Sequence, residues 1–526
     1  MGNNDVPDVQ HALIFQGGGA MGAYEAGVFK AFYDSFFKTD EPFFDIVAGV
    51  SIGAVNASIL ISHVKNSKER WKGSFGTLRD FWNEISTPLS RNNSEIITAS
   101  ATLPFTWKPV MNWLDSSAFK QSWDLGSTAR ENWNAYWQSF SEYLSRTFPN
   151  VEDNLPISSF FFRPGNLGPL ADGEAARRYY MWKNFLTLGT PNVLSQGIFQ
   201  WDAKFLDLFN PSASLLRFDN SPLAKVIEEY WRPLVSIATS RESGEPRLLF
   251  VSTDLESGST VTFDSYERRD ENGNKTRRTI FGEDKAKYII DYPEGIEMKH
   301  LMTSMSSHLK YQYPTLVARD QGSGREMVRH FWDGVYLSNT PLRELLQSHH
   351  DYWRYTEQVQ DGIPKLQVYI VNLYPTTEKR VPVAPDEILD RQYNILFNDR
   401  TRYDEKVAHL VSDYIDLGKR MRDLTLKSIH VAQEKNQGEA AALRDEFEKI
   451  LGSPAKSSSR DGAERQYGEL LRGRFDVQVY RIEREADERY DIYGKAFDFS
   501  TISIDELLQQ GEQDALIHIK EGKIAW

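Results

Sequence analysis

The residues Phe44-Asp45-Ile46-Val47-Ala48-Gly49-Val50-Ser51-Ile52-Gly53-Ala54 constrain this chain more than any other stretch. An apolar run fit for a buried strand leads straight into Gly-x-Ser-x-Gly. Val55, Ala57, Ile59, Leu60 and Ile61 then continue as a mostly apolar helix. Strand, sharp turn and helix are the context in which this pentapeptide forms a nucleophile elbow. In such a turn neighbouring backbone comes so close that side chains at Gly49 and Gly53 would clash. Ser51 is then expected at the tip, its hydroxyl exposed above a helix N-terminus where developing negative charge is favoured. The bland reading of the same letters is a turn between two buried elements.

A second motif stands upstream. His11-Ala12-Leu13-Ile14-Phe15-Gln16 reads as a short strand, followed by Gly17-Gly18-Gly19-Ala20-Met21-Gly22 and a helical stretch through Ala26, Val28, Phe29 and Phe32. Successive glycines can turn their backbone N–H groups into one anion-binding concavity. Beside an elbow, that concavity becomes an oxyanion hole, with donors aimed where a tetrahedral intermediate carries its charge. The letters also satisfy the dinucleotide pattern G-x-G-x-x-G after a strand. The next strand ends in Gly49-Val50-Ser51 and not in the acidic residue a ribose needs, which counts against a nucleotide.

The third piece is remote. Phe331-Trp332-Asp333-Gly334-Val335-Tyr336-Leu337-Ser338-Asn339-Thr340-Pro341 places an Asp before a glycine at the end of a short apolar strand. Alone, Asp-Gly is usually a turn. With these three pieces in this order, the chain resembles the patatin-like phospholipases. That family combines a glycine-rich oxyanion loop, a Gly-x-Ser-x-Gly elbow and a late Asp-Gly-Gly or Asp-Gly-Ala, and uses a Ser–Asp dyad without histidine. The resemblance implies Ser51 as nucleophile, Asp333 as base, and Gly17, Gly18 and Gly19 as the oxyanion loop, joined by the Ile52 N–H. Gly22, Gly49, Gly53 and Gly334 are then the remaining motif glycines. The wording around Gln16–Tyr24 and Asp333–Leu342 is nearest to a bacterial-type branch. Val335 departs from the family's Gly or Ala, which could alter how tightly the turn holds Asp333. Met21 stands where many members have Lys or Arg.

The implied fold is a patatin-like three-layer α/β/α core with a mostly parallel sheet. The pattern strand, Gly loop, helix, strand, elbow, helix over residues 11–64 reads the same way. Residues 11–345 are expected to be the catalytic domain. Within it, 66–235 reads as a helical insertion that holds ten of the chain's thirteen tryptophans. Residues 346–526 form an extension that completes the core and adds helices, with a strand at Leu366–Leu373 and another at Phe475–Ile482. Asp386–Leu451 carries apolar residues at helical spacing with no chemistry attached. Gly452–Gly462 reads as a flexible loop by composition, and Ser503-Ile504-Asp505-Glu506 as a capping box opening the last helix.

A net charge of −13 argues against nucleic acid, and the absence of cysteine removes disulfides and thiolate chemistry. No stretch meets the ~20 apolar residues of a spanning helix, and Met1–Val6 lacks signal-peptide character. A soluble, cytoplasmic protein, at most peripheral at a membrane, is expected. No cofactor or metal is implied: His349, His350 and Asp351 look like a surface group, and no ligand spacing occurs. A Ser–His–Asp triad would need a later histidine in a recognisable loop, which is not evident. The partners expected are a lipid or ester substrate and peripheral contact with membranes or lipid aggregates; oligomeric state stays open.

The chemistry these parts imply is ester cleavage by a serine-dependent lipid acyl hydrolase through an acyl-enzyme. An acyltransferase, a polyester-cleaving esterase or a catalytically silent lipid-binding scaffold are the alternatives. An ordinary aspartate, pKa ~3.9, is a weak base for serine, so burial of Asp333 is expected to raise its proton affinity. The tryptophan-rich insertion, with Trp107, Trp113 and Phe160–Phe162, has two readings: a lid that meets lipid, or an ordinary aromatic core.

Overall fold

The structure is a computed structural model and describes residues 6–38, 43–87, 193, 220–269, 273–283, 286–306, 313–359, 362–378, 381–382, 385–458, 464–485 and 494–526. The chain divides into residues 1–87 with 181–526 and residues 88–180, and all described residues belong to the first unit.

Ten strands make one sheet. In chain order they are β1 (Val9–Phe15), β2 (Ile46–Val50), β3 (Arg247–Asp254), β4 (Ser259–Asp264), β5 (Arg278–Glu283), β6 (Ala286–Asp291), β7 (Thr315–Asp320), β8 (Glu326–Asp333), β9 (Lys365–Asn372) and β10 (Val477–Glu483). The spatial order is β10-β9-β1-β2-β3-β8-β7-β6-β5, with β4 paired to β3. The strands β10, β9, β1, β2 and β3 run parallel. Beyond β3 the sheet continues as an antiparallel wing.

Strands buried on both faces read as continuous apolar runs, because successive side chains serve opposite layers. In β1, Leu13 and Phe15 join one core while Ala12 and Ile14 join the other. The first core is covered by α1 (Gly22–Phe36), α2 (Ile52–Asn66), α3 (Ser74–Ile85), α4 (Ser221–Trp231) and, last in the chain, α9 (Thr501–Lys520). The second is covered by α5 (Leu342–Asp351) through Leu342, Leu345 and Leu346, with Ala408 packed against it. Helix, sheet, helix is the three-layer arrangement expected. Phe29 and Phe32 of α1 are wholly buried, each contributing about 2–3 kcal/mol by removal from water. Helix α9 reaches α1 at backbone contact: a Cβ on Gly27 would meet Leu508 O at 2.0 Å, and one on Gly511 would meet Tyr24 O at 2.0 Å.

Between β9 and β10 lie α6 (Pro385–Phe397), α7 (Arg402–Lys435) and α8 (Gln437–Leu451). Three expectations are corrected here. The stretch 452–462 is not simply a loop, since Pro454–Ser458 pairs with Glu464–Gln466. The last helix is capped by Ser500, whose side chain accepts from Ser503 N–H. Ser503 therefore lies inside the helix, because Ser500 is the residue with extended backbone. His349 is fully buried, not on the surface. It stands seven residues after Leu342 and four after Leu345, on the packed face of α5. Its Nε2 lies 3.0 Å from Pro364 O, and burial pulls its pKa down to about 3. No described helix is long and apolar enough to cross a membrane.

Candidate active site

The site is assembled by register. In β2 and β3, Val50 pairs with Val251; in β3 and β8, Ser252 pairs with Asp333. One strand between them thus brings the residue after Val50 beside Asp333, although 282 positions separate the two in sequence.

Ser51 sits at the end of β2 with φ 55° and ψ −128°, a left-handed backbone that a non-glycine residue adopts at a cost of about 1–3 kcal/mol. The turn is held from both sides. Its N–H donates to Ser304 Oγ at 2.9 Å, and Ser304 Oγ donates to Val251 O at 2.7 Å. Its carbonyl accepts from Ala54 N and Val55 N at 2.9 and 3.2 Å. The flanking glycines are required by space. A Cβ on Gly49 would stand 2.3 Å from Gly53 O, and one on Gly53 would stand 2.6 Å from Gln16 O.

Asp333 closes β8 and is 5% exposed. The Ser51 hydroxyl favours its charged form, and Val335 N donates to its Oδ1 at 3.1 Å. Burial pushes the carboxyl up to about 7, against the downward pull of Ser51 and the Val335 N–H. Its backbone is pinned by N–H donation to Ser306 O at 2.8 Å and by Thr253 Oγ1 donating to its carbonyl at 3.1 Å. Gly334 follows with no room for a Cβ, which would meet Val251 O at 2.3 Å. Val335 keeps its N–H on Asp333, and its side chain packs over Gly17 instead of loosening the turn.

The glycine loop leaves β1 directly above. Gly19 has φ 56° and lies against Ala496 O, while Gly22 opens α1. The Gly17 N–H is already used, donating to Asn339 Oδ1 at 2.8 Å. The N–H groups of Gly18, Gly19 and Ile52 have no hydrogen-bond partner among the described residues. The loop is braced from below. Gln16 Nε2 donates to Thr340 Oγ1 at 2.6 Å and its Oε1 accepts from Leu373 N at 2.8 Å. Asn339 Nδ2 donates to Phe397 O at 2.7 Å. Glu25, wholly buried, accepts from Gln16 N at 2.6 Å and from Asn56 Nδ2 at 3.0 Å, and burial holds its carboxyl well above the usual range.

Gly17, Gly18, Gly19, Ser51, Ile52 and Asp333 all face one cleft. Apart from Asn220, its other walls are mainly apolar and aromatic, among them Leu223, Met305, Val335, Tyr336, Tyr374, Tyr393, Phe397, Phe497 and Phe499. Sequence reasoning did not single out Asn339, Gln16, Glu25 or Ser304. The first two lie inside the very phrases that carry the motifs, which was the available signal; for Ser304 there was none. Of the tryptophan-rich stretch, Trp71, Trp82 and Trp231 are buried in the main core. Trp107, Trp113 and Phe160–Phe162 lie outside the described residues. Among the described residues no group of three or more His, Asp or Glu could hold a metal ion.

A family profile described as patatin-like phospholipase matches residues 13–346, which include the glycine loop, the elbow and Asp333. No curated protein matches the chain. Among solved structures, VipD from Legionella pneumophila aligns over 98% of this chain and 67% of its own, at 10% identity and a TM-score of 0.28.

Proposed function

The chain belongs to the patatin-like phospholipase family, whose general activity is lipid acyl hydrolysis, and we infer that it performs that chemistry through a Ser51–Asp333 dyad. The observation that carries the reading is Ser51 on a strained turn, brought by strand register beside the buried Asp333 carboxyl. A serine is a poor nucleophile until a base takes its proton during attack. Asp333 would take it as Oγ adds to the ester carbonyl. The N–H groups of Gly18, Gly19 and Ile52 are the donors free to hold the oxyanion. Collapse of the tetrahedral intermediate breaks the ester C–O bond, and the proton on Asp333 passes to the departing alkoxide. An acyl-enzyme and a free alcohol result. Water then enters, gives its proton to Asp333, and adds to the acyl carbon; collapse returns that proton to Ser51 and releases the carboxylic acid.

The aromatic and aliphatic walls of the cleft suit an acyl chain, so lipid esters are the substrate class proposed. In domain terms, residues 11–345 would carry the catalytic groups, with 66–235 as an insertion. Residues 346–526 would complete the sheet and the cleft.

The test is activity-based labelling. A fluorophosphonate should modify Ser51 alone. Ser51→Ala should lose labelling and hydrolysis of phospholipid, lysolipid, acylglycerol and p-nitrophenyl esters while keeping its melting temperature. Modification at another serine, or undiminished hydrolysis by the variant, would remove the assignment.

A further inference from the structure

Helix α7 spans 34 residues, about 50 Å, and carries more apolar surface than it buries. Its N-terminal half is tied to the body. Arg481 pairs with Glu405 at 2.8 Å, Ser412 Oγ donates to Phe475 O at 3.0 Å, and Asp416 pairs with Arg474 at 2.9 Å. Farther along, Ile429 is buried. A different stripe runs down the free side: Tyr403, Val407, Leu410, Tyr414, Leu417, Met421, Leu424, Ser428 and Val431. These positions step by four and three in strict alternation. The eight apolar members are 38–74% exposed. A helix that merely covers a core shows a broad apolar arc, whereas strict four–three stepping is the narrow seam of a coiled coil.

We propose that this stripe is the seam of an antiparallel two-stranded coiled coil formed with a second copy of this chain. The flanking charges select that occupant. Lys406, Asp413, Arg420, Lys427 and Glu434 stand seven residues apart along one edge of the seam, and none has an ion-pair partner among the described residues. In a parallel pair they would face Val411, Gly418, Thr425 and Ala432, which offer no charge. In an antiparallel pair with Val407 opposite Val431 of the copy, Tyr414 meets Leu424 and Leu417 meets Met421. Lys406 then faces Glu434 and Asp413 faces Lys427, each pair twice by symmetry, and only Arg420 meets its own kind. Antiparallel pairing also sets the two body-anchored N-terminal halves at opposite ends of the seam. A lipid surface fits less well. The helix carries seven Lys or Arg against six Asp or Glu, not the basic polar face of an interfacial helix.

The test uses the full chain. Sedimentation equilibrium should find a dimer, and Leu417→Lys with Leu424→Lys should give a monomer of unchanged circular dichroism and melting temperature. Asp413→Lys should weaken dimerisation about tenfold, and adding Lys427→Asp should restore it. The chain has no cysteine, so a mixture of Val407→Cys and Val431→Cys proteins should cross-link as mixed pairs only. A wild-type monomer at high concentration overturns the proposal, as does cross-linking of Val431→Cys with itself or failure of the charge swap. So does a monomer that binds neutral or anionic vesicles through Leu417 and Leu424.

Discussion

Burial of the Asp333 carboxyl, with only the Ser51 hydroxyl and the Val335 N–H to stabilise its charge, raises its proton affinity to where a base for serine is useful. The base must be unprotonated to act. Hydrolysis of a soluble ester should therefore rise about tenfold per pH unit below 7 and level off above it. Rates measured from pH 5 to 9 check this; a flat profile through 7 would mean that another group is the base. The same burial is a burden on the fold. A folded pKa near 7 against about 3.9 unfolded means that the native state holds the extra proton between those values. Asp333 then favours folding at low pH, and that contribution is lost as pH rises toward 7. Asp333→Asn should lose most activity yet gain stability at pH 8, on the order of a few kcal/mol, with a smaller gain at pH 5. Urea unfolding at the two pH values measures the difference.

Among the elements, the strand-turn-helix units around Gly17–Gly22 and Ser51 were legible from sequence because every residue they need is local. The braces were not. Gly17 N–H is held by Asn339, which arrives 322 positions later, and an Asn in a loop carries no mark of its partner. Asn339→Ala would leave that N–H without its acceptor and Phe397 O without its donor. The expected result is a kcat lowered about tenfold or more from the loop's lost aim, with a smaller rise in KM from the cleft wall at Phe397. Steady-state kinetics on one p-nitrophenyl ester separate the two parameters. His349 and the start of α9 escape the sequence for a similar reason: burial of the one depends on where α5 packs, and the motif at Ser503 matches a capping pattern one turn after the true cap, Ser500.

At the scale of the whole molecule, sequence pattern indicated strands at 366–373 and 475–482 but not their seats. Parallel neighbours carry no turn to announce their pairing. Strand β9 lies beside β1, and β10 forms the sheet's edge beyond it. The cleft closes later still, with Phe497 and Phe499 in its wall and Ala496 O against Gly19. The order in which the ribosome delivers these parts then matters. At about 5–20 residues per second, Ser51 waits tens of seconds for Asp333, the base proposed for it, and longer for the strands that flank the glycine loop. On the proposed reading a nascent chain therefore carries Ser51 without a working site until Asp333, the strands at 365–372 and 477–483 and the cleft wall at Phe497 and Phe499 have been added. A chain ended after residue 450 should accordingly resist a fluorophosphonate that labels the chain of residues 1–526. Equal labelling of both would show that the first 450 residues assemble the site unaided.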